Sequence, residues 1–282
     1  EPYRRQRQMC IRDSDPRNKL YKSFVGLVDQ IRPKVFVMEN VPGLIRLFGG
    51  KVKEQVLNDF SSLGYRVKVQ QLSSDDYGVP QQRKRVFFVG VNDEKISKIN
   101  EFEFPKAEYG DGMKPYVTCK EAISDLDFVP DDVSLGENIA YKIPAQSEYQ
   151  NLMRKGSHSI KNHSITIHKE QTKKIIAMVP DGGNYKDLPI ELQNTRKVHI
   201  AWTRMNSEKP CFTIDTGHNH HFHYKENRVP TVRESARIQS FPDKFEFIGI
   251  KTSQLKQVGN AVPPLMARAI AKEVIKTIGD TR

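Results

Sequence analysis

Cysteine is scarce in this chain, and what there is does not pair. Cys10, Cys119 and Cys211 are odd in number with no paired spacing, which argues against a disulfide framework and fits a reducing compartment. Long apolar runs are missing too. No stretch approaches the roughly 20 residues needed to cross a bilayer, and charged residues make up 28% of the chain. Neither a membrane-spanning segment nor a secretory signal is expected. Histidine is absent from most of the sequence, since all eight residues fall between His158 and His223 and set that region apart. At 282 residues the chain reads as one or two domains, long enough to bury a core without staples.

What is present is basic. A net charge of +11 favours a polyanionic partner such as nucleic acid, because clustered Lys and Arg gain from neutralising phosphates. A generally basic enzyme is the plain alternative. The most informative stretch is PKVFVMENVPGL, Pro33 to Leu44. Val35 to Met38 lead into Glu39, Asn40 and a Pro42-Gly43 turn, the pattern of a buried strand with a polar tip. In open α/β sheets the ligand crevice lies outside the carboxyl ends of the strands, so Glu39 is a candidate catalytic acid. A solvated strand end is the ordinary reading of the same residue.

Around that strand the periodicity is regular. Residues 1–14 carry none, and RRQRQMCIRDS resembles translated sequencing-adapter sequence, so they are read as a non-native or disordered flank. Asp15 and Pro16 open a helix through Leu20, Phe24, Leu27, Val28 and Ile31. A second helix runs through Val52, Val56, Leu57 and Phe60 and stops near Gly64. Tyr65, Val67 and Val69 alternate as in a half-buried strand, and Val86 to Val91 form a fully buried one. Between them, Gln81, Arg83 and Arg85 share a face in an extended segment, with Gln82 and Lys84 opposite. Such a row suits an anion or a base edge, and a charged edge strand is its simpler account.

Residues from about 92 to 225 are less regular and read as a connector followed by a small variable domain. His218 and His220 face away from His221 and His223 in any extended form, and no Cys pair is nearby, so no metal is assigned to this stretch. Thr231 and Glu234 have capping-box spacing for a helix that stops near Pro242. QVGNAVPP, Gln257 to Pro264, reads as a turn before a final helix, with Gly259 allowing close backbone approach and Asn260 offering hydrogen bonds.

Four segments in order, MENVPGL, YGVPQQRKRVFFVG, PTVRESARIQSFPDKFEF and QVGNAVPPLMARAIA, resemble the cytosine carbon-5 DNA methyltransferases. TCKEAISDL and MVPDGGNYKDLP extend the likeness over nearly everything after residue 14. The resemblance implies an α/β fold: a partial Rossmann-like methyltransferase sheet, parallel-rich, with an inserted small target-recognition domain. The catalytic domain would take 15–129 and 226–282, and the target-recognition domain 130–225. The implied reaction transfers a methyl group from S-adenosylmethionine to carbon-5 of a cytosine flipped out of double-stranded DNA, after a cysteine thiolate adds to carbon-6.

The resemblance also implies roles. Glu39 would contact ring nitrogen-3, with burial helping it to carry a proton, and Arg85 would contact the flipped base. Arg83 would hold the site, while Gln81 and Asn40 would meet the substrate nearby. Leu20, Asn260 and Ala261 would line the cofactor, and Thr231 to Phe241 would be support. The family's Phe-x-Gly-x-Gly turn and Pro-Cys-Gln loop are not in this sequence, and Cys10 does not substitute. The chain is therefore read as a carboxy-terminal portion, inactive alone and completed by an N-terminal half or a partner chain. The alternatives are one subunit of a split methyltransferase, or an inert sequence-specific DNA-binding protein. A restriction-modification role in bacterial or phage-infected cytoplasm is the family expectation.

Overall fold

Helix α1, Leu20–Ile31, and strand β1, Val35–Asn40, show how the apolar pattern is used. The structure is a computed structural model describing residues 20–96, 101–127, 138–193, 202–217 and 221–279, so the flank, Cys10, the Asp15-Pro16 helix start, His218 and His220 lie outside the described residues. In α1 the face at Tyr21, Phe24, Val25 and Val28 meets the core, while Leu20, Leu27 and Ile31 stay exposed. The expected stripe is thus rotated, because only a row at spacings of three and four faces the sheet. In β1, Phe36 and Met38 are buried and Val37 between them is exposed. The run expected as a buried strand is thus covered mainly on the face of Phe36 and Met38.

By packing, the chain forms two compact units. The first takes the described residues within 1–72, 84–105 and 270–282. Here α2, Lys51–Ser62, buries Val56 and Phe60 and gives way at Gly64, whose φ of 79° suits glycine. Strands β2, Tyr65–Ser73, and β3, Lys84–Asn92, complete a sheet of order β1-β3-β2. The parallel-rich sheet implied by the resemblance differs from what is seen at β1, which pairs antiparallel with β3. Phe36 opposes Gly90 in that ladder, and a Cβ on Gly90 would stand 2.1 Å from the Phe36 ring. The glycine lets Phe36 lie over β3, where it packs with Phe24, Phe60 and Tyr65.

The second unit takes the described residues within 73–83 and 106–269. Its short helices are α3, Cys119–Ile123, α4, Glu148–Arg154, α5, Glu170–Ala177, and α6, Ile190–Gln193. These sit in the region that reads as irregular, because brief helices are signalled by caps more than by periodicity. Thr118 and Glu121 form a capping box on α3, and Ser147 caps α4. The paired strands β4, Thr203–Arg204, and β5, His221–Phe222, run parallel. At the centre is α7, Val232–Ile238, every residue of which is buried, opened by the expected Thr231–Glu234 capping box. Helix α8, Lys251–Asn260, corrects one reading: Gln257 to Asn260 are its last turn, not the turn before the final helix α9, Pro264–Ile278. The unit bounds follow packing and are a different partition from functional domains drawn at 130–225.

Candidate functional site

At the end of β1, Glu39 lies opposite Phe87 in the ladder with β3. Period-two alternation puts Arg85 on the same face as Phe87, a diagonal neighbour of Glu39. The consequence is an ion pair, Arg85 Nε to Glu39 Oε1 at 2.7 Å, with the side chains 13% and 28% exposed. The pair stands on the sheet face away from the Phe36, Met38, Val86 and Phe88 cluster. Arg85 also donates to the Lys84 carbonyl at 2.8 Å. Burial pulls the Arg85 pKa down, and the Glu39 charge opposes it. Asn40 is turned back locally, its Oδ1 accepting from the Val41 amide at 2.8 Å.

In the second unit the neighbouring row is enclosed. Gln81 and Arg83 are buried, while Gln82 is exposed. Gln81 Nε2 donates to Gln239 Oε1, and its Oε1 accepts from the Ile214 amide at 2.8 Å. Arg83 donates through Nη1 to the Ile214 carbonyl at 3.2 Å and through Nη2 to the Gly259 carbonyl at 2.6 Å. Gln239 Nε2 donates to the Ala261 carbonyl at 2.7 Å. A Cβ on Gly259 would lie 2.3 Å from the Asp215 carbonyl oxygen, so this backbone approach does require glycine. These contacts make Gln81 and Arg83 braces between 211–215 and 259–261. Gln239 and Ile214 were missed by sequence reasoning, because nothing in their spacing signals a contact so distant along the chain.

Asn260 is exposed and Ala261 half-buried at the end of α8. Leu20 is exposed at the start of α1 in the first unit. His223 is buried, and its Nδ1 accepts from the Lys225 and Glu226 amides at 3.1 and 3.0 Å, closing a turn as a neutral ring. Burial drives its pKa down to about 4. No group of three or more metal-binding side chains is found among the described residues. Cys119 and Cys211 are both buried, and burial pushes the Cys211 thiol well above its ordinary range. Cys211 is therefore not a ready thiolate.

Buried charge supports α7. Arg237 bonds both Asp243 and Asp125, and Arg154 shares Asp125 at 2.5 Å. Burial pushes the Glu234 carboxyl up, but Arg228, paired with it at 2.7 Å, and nearby His223 outweigh that and hold it well below the usual carboxylate range. Among the described residues, no helix is long and apolar enough to cross a membrane.

The fold is that of a methyltransferase. A solved structure described as a putative DNA modification methyltransferase encoded within an Escherichia coli prophage matches with a TM-score of 0.71 and 25% identity, over 94% of this chain and 76% of that one. A Spodoptera frugiperda DNMT2 mutant matches at a TM-score of 0.51 with 12% identity, over 96% of this chain and 74% of that one, and shows the fold alone. The family follows: the profile of the C-5 cytosine-specific DNA methylases matches residues 12–276, and the chain belongs to that family. The type II methyltransferase M1.HphI of Haemophilus parahaemolyticus is 37% identical over 93% of this chain and 62% of its own length. M.NgoFVII of Neisseria gonorrhoeae is 33% identical over 94% of this chain and 64% of its own length. The chain thus spans under two thirds of the length of these two relatives.

Proposed function

We propose that this chain is the carboxy-terminal part of a restriction-modification DNA cytosine-5 methyltransferase, and that Glu39 and Arg85 hold the target cytosine. The ion pair at the end of β1 carries this reading, because a carboxyl and a guanidinium on one face match the ring nitrogen and the carbonyl of a cytosine edge. On base entry the two side chains exchange their bond to each other for bonds to the base. Thiolate addition at carbon-6 puts negative charge into the ring, and a proton held between Glu39 and nitrogen-3 stabilises it. Once carbon-5 carries the methyl group, loss of its proton to a base such as water breaks the carbon-6 to sulfur bond and the thiolate leaves.

The thiolate comes from outside the described residues, since Cys119 and Cys211 are enclosed. Two features support a complementary half or partner chain. Helix α1 leaves Leu20, Leu27 and Ile31 exposed, and among the described residues no strand pairs with the outer edge of β1. The same features favour the second reading, a naturally split enzyme.

S-adenosylmethionine, which the family uses, supplies the methyl group when bound. The fit of the residues present is consistent with it: Asn260 offers an exposed carboxamide and Leu20 an exposed apolar surface, each open to a nucleoside ligand. Leu20 is carried by itself as a proposed contact, and so, separately, are Asn260 and the adjacent Ala261. Gln81 and Arg83 brace the backbone, and Asn40 orders the turn behind Glu39. Residues 130–225 are proposed to read double-stranded DNA in the bacterial cytoplasm, with the charge of +11 meeting phosphates.

Transfer from labelled S-adenosylmethionine to DNA tests this reading. The chain alone should be inactive, and mixing it with the N-terminal half of a relative that carries the Pro-Cys-Gln loop should restore transfer. Glu39→Gln should then cost about 100-fold or more, the range of a lost acid-base group. Unchanged rates would remove Glu39 from the chemistry.

A further inference from the structure

The connection from β1 to α2 is anchored and strained at once. Leu44 is buried, and Ile45 and Leu47 pack against the cluster holding Phe36 and Met38. Backbone bonds from the Leu44 amide to the Val41 carbonyl, 3.0 Å, and from the Arg46 amide to the Gly43 carbonyl, 3.1 Å, tighten the turn. Leu47 is then extended, and Phe48, Gly49 and Gly50 follow with φ of 51°, 67° and 95°. The glycines adopt the left-handed region freely, whereas an aromatic residue there is an outlier that costs free energy.

Burial does not offset that cost. Phe48 is 47% exposed although its neighbours on the loop reach the core. A strained residue that the fold leaves in solvent points to a contact outside the fold. Its chemistry narrows the partner. Arg46 and Lys51 are exposed on either side, and no acidic residue lies between Val41 and Lys53. An aromatic ring set between cations, on the loop that follows Glu39, has the composition of a stacking platform with phosphate contacts.

We propose that Phe48 inserts into double-stranded DNA and stacks on a base exposed when the duplex is opened, with Arg46 and Lys51 on the flanking phosphates. This rests on the methyltransferase reading of the same strand end. The left-handed backbone projects the ring outward, and the anchoring of Leu44, Ile45 and Leu47 keeps it there. Unstacking is the costly part of base extrusion, so a side chain that fills the gap lowers that cost.

The test compares binding of the full chain to an intact duplex and to the same duplex with one abasic position, where the gap is already open. The unmodified chain should prefer the abasic duplex by on the order of 10-fold, the range of one base–aromatic stack. Phe48→Gly should abolish the preference while leaving intact-duplex affinity within about threefold. Its thermal stability should be equal or higher, since glycine relieves the left-handed strain. Phe48→Trp should keep the preference. Retention of the preference in Phe48→Gly overturns the proposal, as does an effect of the substitution only on association with an N-terminal half. If the chain binds neither duplex, the methyltransferase reading itself fails and the proposal with it. If it binds DNA but Phe48 is immaterial, the proposal alone falls.

Discussion

Replacing Arg237 by methionine should destabilise the second unit by about 3–5 kcal/mol, the cost of removing one partner from a buried ion pair. Arg237 is fully buried on α7. Its Nε donates to Asp243 Oδ1 at 2.5 Å and its Nη2 to Asp243 Oδ2 at 2.6 Å. Its Nη1 donates to Asp125 Oδ1 at 3.1 Å and to the Ala122 carbonyl at 3.0 Å. Methionine fills similar space and supplies no donor. Asp125 would keep Arg154, with Nε to Oδ2 at 2.7 Å, and remain neutralised. Asp243 would keep only the Tyr141 hydroxyl, at 2.5 Å, among the side chains bonded to it. The penalty therefore falls on Asp243. Adding Asp243→Asn to Arg237→Met should recover about half of it, because the stranded group is then uncharged. Trp202, the only tryptophan in the chain, lies in a core cluster of the same unit, so its fluorescence follows urea unfolding there. With a slope of about 2 kcal/mol/M, the midpoint should drop by roughly 2 M. A drop below about 0.5 M, or no recovery in the double variant, would refute the assignment of the cost to Asp243.

His223 should make the same unit sensitive to acid. Its pKa falls from 6.5 to about 4 by burial, near Glu234 at 3.7 Å and Asp127 at 3.8 Å and with Arg228 opposing protonation. Between those values the unfolded chain takes up a proton that the folded one refuses, so this contribution is full above pH 6.5 and lost as pH falls toward 4. It amounts to about 3 kcal/mol, and His223→Gln should flatten the slope of stability against pH in that window. An unchanged slope would assign the pH dependence to other groups. Gly259→Ala should cost about 1–3 kcal/mol by overpacking, because its Cβ would meet the Asp215 backbone at 2.3 Å. Unaltered urea stability would show that the 215 and 259 backbones can separate.

Local chemistry was legible where it does not depend on what packs on top. The alternation that buries Gln81 and Arg83 and exposes Gln82 follows from strand period, and the Thr231–Glu234 box opens α7 as its spacing predicts. The rotated stripe on α1 was not legible, since Leu20 and Phe24 are equally apolar and only the sheet selects between them. The last turn of α8 escaped for a similar reason. Gly259 and Asn260 are poor helix formers, and contact with 211–215 and Arg83 outweighs their propensity.

The sequence by itself determined the family, through four ordered segments, and placed an acid at the tip of the Val35–Asn40 strand, because motif and alternation are properties of neighbouring residues. Only the tertiary structure decided what that acid touches. The antiparallel register of β1 with β3 sets Arg85 beside Glu39; within the second unit, packing of its own sets Arg237 of α7 against Asp125, a contact between residues far apart in the chain whose pairing no local pattern encodes.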